Sequence, residues 1–97
     1  MFEITLSPSA LDDVAWFSKR ERRAVLDAIE DQLSNQPDVV TRSRKRLRPN
    51  RVAEWELRSG AYRVFYDVTG TQRLVEIKMV GLKAGSKLLI RGQEYKL

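Results

Sequence analysis

Three stretches of alternating apolar and polar residues, Val52–Leu57, Ala61–Val68 and Leu74–Val80, follow one another with only short turns between them. Period-two alternation marks strands with one buried face. Connections this short join antiparallel neighbours only, because parallel strands need a crossover of a dozen residues or more. The chain is thereby committed to an antiparallel meander. Ser59-Gly60 reads as a two-residue hairpin turn and Thr69-Gly70-Thr71 as the next. With Ser59 and Gly60 in the turn, Leu57 faces Tyr62, Glu56 faces Arg63 and Trp55 faces Val64. Facing residues share a side of the sheet. Trp55, Leu57, Tyr62, Val64 and Tyr66 then form an apolar face, and Glu54, Glu56, Arg58 and Arg63 a charged one. In the third strand Val75, Ile77 and Met79 alternate with Glu76 and Lys78. Leu88 to Ile90 is a short apolar run, and Tyr95 to Leu97 a tail.

Ahead of the meander, Phe2 to Leu6 alternates as a strand. Ser7-Pro8 is a helix start, with the serine at the cap and proline at the first helical position. Leu11, Val14 and Ala15 carry the stripe of a short helix reaching about Phe17. Ser18 with Glu21 three residues on makes a capping box for a second, longer helix. Its stripe is Val25, Ile29 and Leu33, and Asn35-Gln36-Pro37 ends it, since the residue before proline avoids helix. One strand, two consecutive helices and a strand meander predict an α+β domain with an antiparallel sheet. At 97 residues the chain, 1–97, is expected to be a single domain. Trp16 and Trp55 are expected in or at the edge of its core.

The composition excludes several chemistries. There is no cysteine and no histidine, so no disulfide, thiol nucleophile, zinc ribbon or imidazole base is expected. No apolar stretch is long enough to cross a membrane and no basic-then-apolar leader opens the chain, so the expected location is the cytoplasm. Charge is unevenly spread. Residues 1–40 hold four basic and eight acidic groups, net −4, and residues 41–97 hold fourteen and five, net +9. Arg42, Arg44, Lys45, Arg46, Arg48 and Arg51 fall within ten residues with no acid between them. Such a run either binds a phosphate or acidic partner or lies solvated as a charged loop. Its arginines suit bidentate phosphate contacts.

The stretch Trp55-Glu-Leu-Arg-Ser-Gly-Ala-Tyr-Arg-Val-Phe-Tyr66 resembles the RelE/ParE family of toxins from toxin–antitoxin pairs. The basic segment around Leu47, the later Val80-Gly81-Leu82-Lys83 and the order of elements resemble it too. The resemblance implies a RelE/ParE-like α+β toxin, neutralised by a cognate acidic antitoxin through which alone it contacts DNA. RelE-type members are metal-independent endoribonucleases that need no cofactor and cut mRNA on the ribosome. ParE-type members instead act by binding DNA gyrase, and a degenerate, non-cleaving member would act by binding alone, on gyrase or only on its antitoxin. By the same resemblance Arg63 contacts the scissile phosphate, Lys83 and Arg58 add charge, and the Arg42–Arg51 run binds RNA. Glu54 and Glu56 stand where RelE has lysines. Glu56 is then either a general base or an ion-pair partner that damps the site. Phe65, on the charged face, is placed to stack on a base.

Overall fold

The computed structural model describes residues 1–97. The order is β1 (Glu3–Leu6), α1 (Pro8–Trp16), α2 (Lys19–Leu33), β2 (Arg44–Arg46), β3 (Trp55–Ser59), β4 (Tyr62–Thr69), β5 (Leu74–Ala84), β6 (Lys87–Ile90) and β7 (Gln93–Glu94). The strands form one sheet in the order β2-β3-β4-β5-β6-β7, and β1 pairs parallel with β5. Every other pairing is antiparallel. The caps lie where the residue types place them. Ser7 accepts from the Ala10 amide with Pro8 opening α1, and Ser18 and Glu21 close a reciprocal capping box on α2.

Both helices cover one face of the sheet. Val14, Phe17, Val25, Ile29 and Leu33 pack there on Trp55, Leu57, Val64, Tyr66, Val75, Ile77 and Val80. The opposite face carries a second apolar cluster of Ala53, Phe65, Met79 and Leu88. Phe65 is fully buried in it and cannot stack on a base, contrary to its expected role. Trp55 is core, whereas Trp16 is half exposed and lies against Gly92. No helix is long and apolar enough to cross a membrane.

The hairpin differs from expectation in pairing but not in facing. The turn is Gly60-Ala61, with Gly60 at φ +58°, a conformation open to glycine at little cost. Ser59 therefore remains in strand and faces Tyr62, Arg58 faces Arg63, and Glu56 faces Phe65 rather than Arg63. Moving the turn by one residue shifts both strands together, so each side chain keeps its face. At its start β3 is shorter than the alternation. The Asn50 side chain accepts from the Val52 and Ala53 amides and folds them into a turn.

The third strand departs more. It runs on through Val80-Gly81-Leu82-Lys83 to Ala84, and a β-bulge interrupts it. Phe65 pairs with Met79 and Tyr66 with Ile77, which leaves Lys78 as the extra residue. Beyond it the alternation inverts. Met79 joins the second cluster instead of following Val75 and Ile77, and Val80 points to the helices. The start of α1 satisfies the backbone around the bulge. The Ser7 amide donates to the Ile77 carbonyl, the Ser7 hydroxyl to the Lys78 carbonyl, and the Val80 amide donates to Asp13 Oδ2 at 3.0 Å. Asp13 is 2% exposed. Its Oδ1 lies 3.2 Å from Arg91 Nε without an aligned hydrogen bond.

Burial raises the Asp13 carboxyl above its ordinary value of 3.8, outweighing the hydrogen bond from Val80 and the attraction of Arg91. A carboxyl harder to ionise folded than unfolded contributes stability that is full below the unfolded value and fades as pH rises through the folded one. Asp13→Asn removes this titration and keeps an acceptor for the Val80 amide. The stability difference between wild type and Asp13→Asn should therefore shift toward wild type as pH falls from neutral to about 4, read by urea unfolding at each pH. Gly81 makes a second test. A Cβ there would meet the Leu89 carbonyl and the Ile90 side chain at 2.5 Å. Gly81→Ala should cost about 1–3 kcal/mol in the same assay by forcing β6 from β5.

Candidate active site

The β3–β4 hairpin sets two arginines directly opposite one another on the face away from the helices, Arg58 against Arg63. Like charges in facing positions repel, so such a pair is stable only with anions nearby. Glu56 supplies one: its Oε1 accepts from Arg58 Nε at 3.1 Å. Arg63 is anchored by the turn, its Nη1 donating to the Gly60 carbonyl at 2.7 Å and the Tyr62 carbonyl at 2.8 Å. The guanidinium is thus held by the backbone rather than by a carboxylate.

Lys83 reaches the same face from β5. Arg63 pairs with Gly81, and Lys83 follows two residues on, with its amide bonded to the Ala61 carbonyl at 2.7 Å. Glu56, Arg63 and Lys83 line one cleft of about 330 Å³ together with Lys87, Tyr95 and Lys96. Of the four residues expected at the reaction centre, three line this cleft, and Arg58 stands beside it through its ion pair with Glu56. Glu56 is not a solvated strand residue: the side chain is 11% exposed and is engaged by Arg58. Tyr95, Lys87 and Lys96 had no sequence signal beyond their nearness to Gly85 and Gly92, the turns that bring them back.

A cleft with four cations, Arg63, Lys83, Lys87 and Lys96, against two carboxylates, Glu56 and Glu94, suits an anionic ligand such as a phosphodiester. Its carboxylates, lysines and tyrosine are all of residue types that serve in general acid–base chemistry. Nowhere do three carboxylates, imidazoles or thiols gather in a way that would hold a metal ion. A larger recess of about 470 Å³ surrounds Asp13, Arg51, Lys78 and Arg91, but the Asp13 carboxylate already serves the bulge.

The basic run is not one ribbon. Arg44, expected to bind RNA, is buried at 8% exposure and belongs to the framework. Its Nε donates to the Val39 carbonyl and its Nη1 to the Gln32 carbonyl, one of the unpaired carbonyls at the end of α2. A cation at that end also suits the helix dipole. Arg46 lies 3.6 Å from Glu54 and over the Trp55 ring at 5.7 Å. Lys45 pairs with Glu56 and so points to the cleft side. Arg42, Arg48 and Arg51 are exposed, and Arg51 borders the Asp13 recess. The tail at Lys96 and Leu97 lines both the cleft and the neighbouring groove along Pro49–Val52, so the two basic regions adjoin. Arg44→Leu should cost about 2–3 kcal/mol in denaturant unfolding because two carbonyls lose a charged donor. Lys45→Ala should stay within about 0.5 kcal/mol of wild type.

No protein-family model matches the sequence, and no curated protein matches it. Solved structures do. One chain of the RelBE2 toxin–antitoxin complex from Mycobacterium tuberculosis superposes with a TM-score of 0.73 at 24% identity, covering 84% of this chain and 98% of that one. A chain of the archaeal RelE–RelB complex from Pyrococcus horikoshii gives 0.68 at 17% identity, covering 88% and 98%. A chain of the intact E. coli RelBE complex gives 0.57 at 18%, covering 87% and 98%. At these identities the likeness speaks for the architecture: the chain has the RelE toxin fold.

Proposed function

We propose that residues 1–97 act as one toxin domain of a toxin–antitoxin pair and cleave mRNA on the ribosome without a metal or other cofactor. The observation that carries this reading is the cleft in which Arg63, held by the hairpin turn, meets Lys83 and Glu56 within a RelE fold. In the reaction the 2′-hydroxyl of one nucleotide attacks the adjacent phosphorus and the bond to the 5′-oxygen breaks. The hydroxyl proton passes to a base, and the departing 5′-oxygen takes a proton. Arg63 and Lys83 stabilise the charge that builds on the non-bridging oxygens. Glu56, a carboxylate lining the same cleft, is the proposed base. The exposed cations Arg42, Lys45, Arg46, Arg48 and Arg51 guide the RNA by long-range attraction. The antitoxin is an acidic chain, and the site of action is the cytoplasm, where ribosomes are.

A second reading, a toxin that acts only by binding a protein such as DNA gyrase, is favoured by one observation. Two carboxylates, Glu56 and Glu94, stand among the cleft's four cations and lower its net charge. Primer extension on translated mRNA separates the two. Arg63→Ala should lower cleavage by about 10²–10³ while far-UV circular dichroism stays native. Glu56→Gln should be inactive if Glu56 is the base, whereas Glu56→Lys should raise cleavage if Glu56 only damps the site. No cleavage by wild type or any of these variants, with growth still arrested by wild type, sinks the nuclease reading.

A further inference from the structure

We infer that the exposed face of α2 docks antiparallel on α2 of a second copy of this chain. The helix buries Val25, Ile29 and Leu33 against the sheet and leaves its outer side open. That side has a mirrored charge order about Val25. Two residues out, Arg23 is mirrored by Asp27. Five out, Arg20 is mirrored by Glu30, and six out, Lys19 is mirrored by Asp31. Ala24 and Leu26 flank the centre, and Leu26 is 42% exposed. All eight of these residues are exposed. A two-fold interface requires a patch in which each residue meets its mirror partner, and this order meets that requirement when two such helices lie head to tail.

The layout also works against its own helix. Anions belong near a helix N-terminus and cations near its C-terminus. Here the cations lie in the N-terminal half and the anions in the C-terminal half. Only Glu21 has the favourable sign in the first turn, and the last turn holds no basic residue. Within the helix the face offers a single ion pair, Arg23–Asp27 at 3.6 Å, between side chains 84% and 72% exposed. An antiparallel copy places opposite charge against each of the six exposed charged groups, Lys19, Arg20, Arg23, Asp27, Glu30 and Asp31, and opposes the two dipoles. A nucleic acid or a uniformly charged peptide would match only half of the face, so a second copy fits it best.

A helix of this length spans about 22 Å. One helix from each copy buries less than the roughly 1,200 Å² of a standard interface, so the association is weak and reversible. It is also salt-sensitive, since the charges are exposed. The helices and the cleft lie on opposite faces of the sheet, so both clefts stay open in the dimer.

Sedimentation velocity on the full chain, from micromolar to millimolar concentration at low and high salt, tests this. Wild type should self-associate at low salt and at least about tenfold less at high salt. The double variants Arg20→Glu/Arg23→Glu and Asp27→Lys/Glu30→Lys should each be monomeric, with native circular dichroism because the altered side chains are exposed. Mixed in equal amounts they should associate again. The inference is overturned if wild type stays monomeric throughout, if either variant alone associates like wild type, or if the mixture stays monomeric. It is also overturned if the face proves to bind only another protein, with both variants losing that partner while wild type shows no self-association.

Discussion

The hydrogen bond from the Val80 amide to the buried Asp13 carboxylate holds the feature on which the site depends. The bulge at Lys78 inverts the alternation of β5 halfway along its length. Without it, residues 79, 81 and 83 would continue the face of Val75 and Ile77, and Lys83 would point into the helices. With it, Val80 and Leu82 enter the main core, while Gly81 and Lys83 join Arg63 on the other face. Two interactions fix the bulge from outside the sheet: Ser7 on the Lys78 carbonyl and Asp13 on the Val80 amide. A carboxylate buried to this degree is costly unless paired and hydrogen-bonded. Asp13 has both, the ion pair through Arg91 in the β6–β7 turn and the hydrogen bond through the Val80 amide. One side chain therefore links the middle of α1, the bulge and the C-terminal strands whose tail walls the cleft.

Much of this was legible in the sequence because strand facing depends only on parity. Trp55, Leu57, Val64 and Tyr66 took the helix side, and Arg58 and Arg63 the other, even though the turn sat one residue later than Ser59-Gly60 suggests. A turn displaced by one shifts the pairing by two, and a shift of two conserves the face. Only the partners changed, and they matter for chemistry: Arg63 stands opposite Arg58, not Glu56. A bulge does the reverse. It adds one residue to one strand, so parity fails beyond it, and Met79 and Lys83 could not be placed by counting. Nothing in Glu76-Ile77-Lys78-Met79 announces it, because its cause lies in Ser7 and Asp13, some seventy residues away.

The basic run shows a second limit. Arg44 and Lys45 are adjacent and alike in charge, but a strand turns them to opposite sides. Arg44 donates to the Gln32 carbonyl in the last turn of α2 and to the Val39 carbonyl in the segment that follows, while Lys45 faces the cleft side. A charge run read as a loop has no sides, and its residues look equivalent. Once three of them form β2, period two divides them into framework and surface. Composition signals an anionic partner, but which cations remain free for it is decided by the sheet edge.

The cleft must also be stable when empty. Arg58 and Arg63 face each other at a separation where like charges repel, and no solvated lysines at Glu54 or Glu56 would relieve that. Glu56 does so by holding Arg58, which leaves Arg63 with backbone carbonyls as its only hydrogen-bond partners. A guanidinium positioned by carbonyls keeps its full charge for any anion that enters the cleft, whereas one held by a carboxylate would first have to exchange partners. The resting ion pair therefore divides the two arginines. Arg58 is neutralised to let the hairpin form, and Arg63 is left oriented and unneutralised beside Lys83. A carboxylate at position 56 is thus compatible with a working anion site, because the charge it cancels belongs to Arg58.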